Sequence, residues 1–284
     1  MRKEKGFTLV ELLVAMAISG IVVAAVYTAF VTQQKSYTVQ NQVAETQQNA
    51  RVGLDLIARE VRMAGYGQPA WSMNADWNGD GVDEEVTEPI KVPESKDRVT
   101  VIGCFEPNPV QLKNAASVND TTLTLVDPND TDDSDIAEDR FNTTTKSNIF
   151  IGGFDNAKVV GVSGRTLTID TDPTSSGNQG LIRSFIVGSE VNLVQAITYY
   201  IENDTLRRDG NTGVPDQFLT LAENIENLQI TYANKIANIS VLARSREMDS
   251  TYTYHDATHN DHYRRRTLIS NINVRSLLYQ VEEE

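Results

Sequence analysis

The sequence predicts an α+β protein, with one long N-terminal helix packed on an antiparallel β-rich head. Three observations predict it. Residues 7–31, FTLVELLVAMAISGIVVAAVYTAFV, carry a single charge, Glu11. An apolar stripe at steps of three and four (Val43, Gln47, Ala50, Leu54, Ile57, Val61, Ala64) then follows, the spacing of one helical face. Beyond Gly67 the pattern changes to short runs at period two, rich in Val, Ile, Thr and Tyr. The chain divides accordingly into a basic leader (1–6), an apolar half-helix (7–31), an amphipathic half-helix (32–66) and a β-rich head (67–284).

The apolar run comes first. As a helix, its 25 residues span about 37 Å at ~1.5 Å per residue, enough to cross a hydrocarbon core of ~30 Å. The preceding Met1-Arg2-Lys3-Glu4-Lys5-Gly6 has a positive excess, which holds the leader on the cytoplasmic side of a membrane and places the bulk of the chain outside. The residues alone admit three readings. One is a secretory signal peptide cut after Ala15-Met16-Ala17, although the apolar run continues past that point and Glu11 falls inside it. The second is an uncleaved signal anchor, which gives Glu11 no purpose. A carboxylate within a membrane segment is costly and asks for a partner.

The third reading rests on Gly6-Phe7-Thr8-Leu9-Val10-Glu11-Leu12-Leu13-Val14-Ala15. This stretch resembles the cleavage and methylation motif of the type IV prepilin family, which includes type IV pilins and type II secretion pseudopilins. The resemblance implies cleavage by a prepilin peptidase between Gly6 and Phe7, and N-methylation of Phe7. It makes Glu11 the fifth residue of the mature chain, an assembly residue paired with the cationic N-terminus of a neighbouring Phe7. Such pairing offsets the cost of a buried charge and fixes axial register. Removal of residues 1–6 takes the net charge from −14 to −16.

The second half of the helix carries Arg51, Asp55, Arg59 and Arg62 opposite its apolar stripe, and Gly65, Gly67 and Pro69 supply the stop. The predicted helix therefore runs over 7–64. Strands are expected at 98–105, 121–126, 148–154, 158–162, 166–170, 181–187, 190–201, 228–233, 236–245 and 266–279, with Gly, Asn and Asp between them. The acidic stretch 127–139 reads as a solvated loop. Several later segments, among them ARVGLDLIAREVRMAGYG at 50–67, AITYYI at 196–201 and LAENIENLQITY at 221–232, resemble PilW-type minor pilins. The J-type pseudopilin of type II secretion shares much of this pattern. Neither resemblance accounts for the middle of the chain.

Asp76-Trp77-Asn78-Gly79-Asp80-Gly81-Val82-Asp83-Glu84 places oxygen ligands at positions one, three and five and a glycine at six, like the start of a Ca²⁺ loop. Asp76, Asn78, Asp80, Val82 and Glu84 are the candidate ligands. Thr87 stands where such a loop has its bidentate glutamate, and an acidic turn without metal is the alternative. His255, His259 and His262 read as part of a polar connector. Cys104, the only cysteine, lies in an apolar run and excludes an intramolecular disulfide. No nucleophile elbow, Walker loop or dinucleotide glycine motif is present. A net charge of −14 leaves no basic face for nucleic acid.

The expectation is thus a non-enzymatic minor pilin. The resemblance implies a single-pass protein of the bacterial inner membrane with its head outside the cytoplasm, later incorporated into a pilus. It implies prepilin peptidase, other minor and major pilins and a tip adhesin as partners, and a role in priming assembly near the fibre tip. A type II secretion pseudopilin is the alternative within the family. A membrane-anchored Ca²⁺-dependent binding module that never polymerises is the alternative of another class.

Overall fold

A computed structural model describes residues 7–78, 82–95, 97–130, 133–210, 218–249, 252–256 and 259–274. The chain begins with α1 (Leu9–Met63), then β1 (Met73–Ala75), β2 (Glu84–Val86), β3 (Ile90–Lys91) and β4 (Arg98–Gly103). Next come β5 (Val110–Leu112), β6 (Thr122–Val126), α2 (Ile136–Arg140), β7 (Asn148–Ile151), β8 (Asp155–Ser163), β9 (Thr166–Asp170) and β10 (Glu190–Leu193). The order ends with β11 (Gln195–Glu202), β12 (Thr205–Asp209), β13 (Phe218–Glu223), β14 (Ile225–Ala233), β15 (Ile236–Arg244), β16 (Tyr254–His255), β17 (Asn260–Asp261) and β18 (Arg265–Asn273). Every strand pair among the described residues is antiparallel, so the fold is α+β with a long apolar helix leading a β-rich domain.

Two compact units result, Met1–Gln47 with Ser245–Arg264, and Gln48–Arg244 with Arg265–Glu284. In the first, β16 and β17 form a short hairpin, and the Arg264 guanidinium donates to Asp249 Oδ2 at 2.7 Å. The second holds four β assemblies and residues 48–63 of the helix.

Ala50, Leu54, Ile57, Ala58, Val61 and Ala64 bury one helical face against Val99, Val101, Ile197 and Tyr199 of one sheet and Ile225, Leu228, Ile239 and Val241 of another. The first sheet has the order β13-β12-β11-β4-β3, the second β14-β15-β18. Arg51, Asp55, Arg59 and Arg62 stay exposed, as the periodicity requires. Gly53 belongs to the buried face: a Cβ there would lie 2.6 Å from Leu206 Cδ2, so glycine sets how closely the helix approaches β12. Glu60 also lies on this face, 7 % exposed. Its carboxylate accepts a hydrogen bond from the Tyr199 hydroxyl and bonds from Arg208 Nε at 3.2 Å and Nη2 at 3.1 Å, which join helix and sheet through a buried polar group. Two of the hairpins turn on residue pairs with positive φ, Asn203-Asp204 between β11 and β12 and Asn234-Lys235 between β14 and β15, the twist that tight two-residue connections need.

Between β4 and β11 the chain makes an excursion. Gly103 and Gln195 are direct partners in the sheet, yet the sequence between them builds a closed barrel of order β10-β5-β6-β9-β8-β7. The barrel has its own core, with Leu112, Leu123, Leu125, Ile149, Ile151, Leu167 and Ile169 fully buried. Closure leaves none of its strands an open edge. It meets the rest of the unit through Phe150, which packs with Met73, Val86, Ile102, Cys104 and Val194, and through Trp71 Nε1, which donates to Asn148 Oδ1 at 2.7 Å. Cys104 is part of this contact. Burial, followed by the nearby Glu106 carboxylate, pushes its thiol up to about 12, so it remains a protonated apolar filler.

Several expected elements differ. The stretch 127–139 is not wholly a solvated loop: α2 begins within it and buries Ile136 and Ala137 in the barrel core, while Glu138 Oε1 accepts the Gly164 N–H at 2.7 Å. Residues 181–187 form no strand. The buried Asp155 carboxylate takes the N–H groups of Ile182 and Arg183, both at 3.1 Å, away from any ladder. The expected strand 190–201 is two strands in different sheets, parted at Val194. The expected strand 266–279 is β18 as far as Asn273, and 275–279 lie outside the described residues.

Candidate functional site

Residues 9–63 form one uninterrupted helix, and its apolar half is uncovered. The most apolar 18-residue window has a mean hydropathy of 2.5 and is 0 % buried within the chain. Phe7 is 90 % exposed, and Leu9, Leu13, Ile21 and Phe30 all face outward. Each large apolar side chain forgoes roughly 1.5–3 kcal/mol while it faces water. By length and composition the segment suits a bilayer core, and its all-round apolar surface suits neighbouring helices equally well.

Glu11 sits in the first turn. Thr8 N–H and Thr8 Oγ1 each donate to Glu11 Oε2 at 2.9 Å, and Glu11 N–H donates back to Thr8 Oγ1 at 3.3 Å. Leu12 N–H reaches the Thr8 carbonyl at 3.2 Å, which closes the first helical turn. This is a capping box, with Thr8 as N-cap and Glu11 three residues on, and it satisfies two donors that a helix start otherwise leaves open. The family resemblance implies for Glu11 only a partner on another chain, whereas here its first partner is Thr8 of its own helix. The signal for Thr8 was nevertheless present: Thr-x-x-Glu directly before an apolar run. Both Thr8 bonds end on Oε2, and Oε1 takes neither. Gly6, the other half of the expected cleavage junction, lies outside the described residues.

The expected Ca²⁺ turn connects β1 to β2, with Ala75 opposite Glu84, so strands rather than helices flank it. Asn78 Nδ2 donates to Glu84 Oε1 at 2.7 Å, which joins two of the five candidate ligands directly. Glu84 Oε2 is buried without a hydrogen-bond partner among the described residues. Asp76 and Val82 lie in the same turn, and Asp80 lies outside the described residues. Among the described residues no three His, Cys, Asp or Glu side chains are gathered as metal ligands.

The histidine segment is a hairpin connector. His259 Nδ1 lies 3.1 Å from Asp256 Oδ1, and His262 Nδ1–H donates to the Tyr252 carbonyl at 2.5 Å. In the arginine run that follows, Arg265 is buried. Its Nε and Nη2 bond both Glu226 oxygens, at 2.6 and 2.8 Å, which makes it one half of a buried ion pair.

Comparison with known proteins gives one family result. Residues 1–27 match the prokaryotic N-terminal methylation motif. No curated protein and no solved structure matches the chain. The matched segment contains Gly6, Phe7, Thr8 and Glu11 and most of the uncovered apolar half-helix. A methylation motif at the head of a long apolar helix, ahead of an antiparallel β-rich domain, resembles the layout of type IV pilin-like and pseudopilin precursors.

Proposed function

We propose that the chain is a minor pilin of a type IV pilus. Prepilin peptidase cuts it between Gly6 and Phe7 and methylates Phe7, and the mature chain joins other minor and major pilins in priming fibre assembly near the tip, where a tip adhesin is a further partner. One observation carries this reading: the uncovered apolar half-helix begins at the methylation motif and presents Glu11 in its first turn. Lipid covers that surface before assembly and neighbouring helices cover it afterwards. The head stays outside the cytoplasm throughout. The motif belongs to structural subunits, so we propose no catalytic role. Deletion of the gene is expected to abolish or sharply reduce surface pili, counted by electron microscopy, and to leave secreted enzyme levels unchanged. Loss of secretion with normal pili would assign the chain to a type II pseudopilus instead.

The β1–β2 turn remains a Ca²⁺ proposal on its ligand spacing, supported by the buried, unpartnered Glu84 Oε2. Calorimetric titration of the full chain with CaCl₂ is expected to give saturable heat that disappears in the Asp76→Ala, Asp80→Ala double variant. No heat from the unaltered chain would end the proposal, as would heat that the double variant retains.

A further inference from the structure

A groove of 450 Å³ opens between the barrel and the β1–β2 hairpin, within the ~300–1,000 Å³ typical of small-molecule sites. Its lining is mostly polar, which sets it apart from an apolar ligand pocket. Thr144, Thr145, Lys146 and Ser147 line one side together with Lys158 of β8, and Asn74, Asp83 and Glu85 of the hairpin region line it as well.

The barrel-side loop is held in shape before any ligand arrives. Asn142 Oδ1 accepts the backbone N–H groups of Thr144, Thr145 and Lys146 at 3.0, 2.8 and 2.8 Å, and Ser147 Oγ donates to the Thr144 carbonyl at 3.0 Å. A loop fixed in this way loses little entropy on binding. Trp71 also lines the groove. Its one polar atom, Nε1, is already committed to Asn148, so it offers a ligand only apolar ring surface. Neither Lys146 nor Lys158 has a carboxylate within 4.0 Å among the described residues.

This combination selects a ligand class. Short hydroxyl and amide side chains with two carboxylates suit a ligand covered in hydroxyl groups. A pinned indole suits the C–H face of a sugar ring. Two lysines without ion-pair partners among the described residues suit a carboxylate. A polyphosphate concentrates several charges against Asp83 and Glu85 and has neither hydroxyl donors for them nor a C–H face for the indole, whereas a sugar acid carries one charge per ring and can donate hydroxyls to both carboxylates; a hydrocarbon would leave the polar lining unsatisfied. We propose that this groove binds an acidic saccharide of one or two rings, with Lys146 and Lys158 taking the carboxylate and Trp71 contacting the ring.

The test uses the full chain in a detergent that carries no sugar. The sequence has two tryptophans, so a Trp77→Phe background leaves Trp71 as the sole tryptophan reporter, excited selectively at the red edge where tyrosine does not absorb. Digalacturonate should change that fluorescence saturably, and maltose should not compete. Combined Lys146→Gln and Lys158→Gln should weaken binding about tenfold or more, the scale of a lost charged contact. On the unaltered chain, saturation-transfer NMR should show the same ligand bound, more weakly at ~0.5 M than at ~0.05 M salt. The proposal is overturned by an absent or non-saturable response, by equal binding of maltose, by an acidic dipeptide competing equally well, or by indifference to both the lysine changes and salt.

Discussion

Glu11→Ala is expected to leave membrane insertion intact while the chain's incorporation into fibres falls by about a hundredfold or more. Insertion should not suffer, because a carboxylate in an apolar helix opposes it by up to roughly 2.5–3.5 kcal/mol at the centre and less near an end. The fibre effect follows from pairing. A neighbour's cationic Phe7 N-terminus buried without its anion costs about 3–5 kcal/mol, which is at least two decades in association. The Thr8–Glu11 capping box complicates this, because the same alanine also removes a cap worth ~1 kcal/mol. Glu11→Gln separates the two effects. Glutamine retains the capping geometry and loses the charge. If the carboxylate pairs between chains, the Gln variant fails to assemble almost as completely as the Ala variant, and Thr8→Ala is mild. If Gln assembles normally while Thr8→Ala fails, Glu11 acts only as a cap. The measurement is the ratio of chain in sheared fibres to chain left in membranes.

Glu60→Ala is expected to destabilise the second compact unit by about 3–5 kcal/mol, a large part of the ~5–15 kcal/mol typical of a domain. The cost arises from what stays behind: a half-buried Arg208 guanidinium without its anion and a buried Tyr199 hydroxyl without its acceptor. Replacing Glu60 and Arg208 together by leucine should cost less than Glu60→Ala alone, since no unpaired charge remains. The urea midpoint of the circular dichroism signal reports both. The same cluster sets an alkaline limit. Burial, followed by the negative charge of Glu60 and its hydrogen bond, raises the Tyr199 phenol above its ordinary 10.0. The unfolded chain therefore releases this proton at a lower pH than the native one. Stability from this group is complete below about pH 10 and declines above it. Tyr199→Phe should flatten that decline between about pH 9 and 11. Tyr66, Tyr200 and Tyr232, also raised chiefly by burial, keep part of the slope in place.

What the sequence disclosed follows from the range of each interaction. The helix was legible because its stripe repeats locally, and Arg51, Asp55, Arg59 and Arg62 fell on the exposed face as expected. Glu60 was illegible: a glutamate among those charges gives no sign that it faces Tyr199, 139 residues away. Strands such as β6 and β9 announce themselves by alternation, with Leu123, Leu125, Leu167 and Ile169 turned inward. Barrel closure does not, since β10 pairs with both β5 and β7 across long stretches of sequence. Residues 181–187 have a strand's composition, but a single buried carboxylate, Asp155, redirects their backbone. At the N-terminus the apolar run and Glu11 were plain in the sequence. Thr8 was written there too, as the first residue of a capping box.

Maturation of the chain at the methylation motif is read from the mass of its N-terminal peptide. In cells that make prepilin peptidase, mass spectrometry of the membrane-extracted protein should find a peptide beginning at N-methylated Phe7, with residues 1–6 gone. An intact Met1 start in those cells, or a new N-terminus at Ile18, would contradict it.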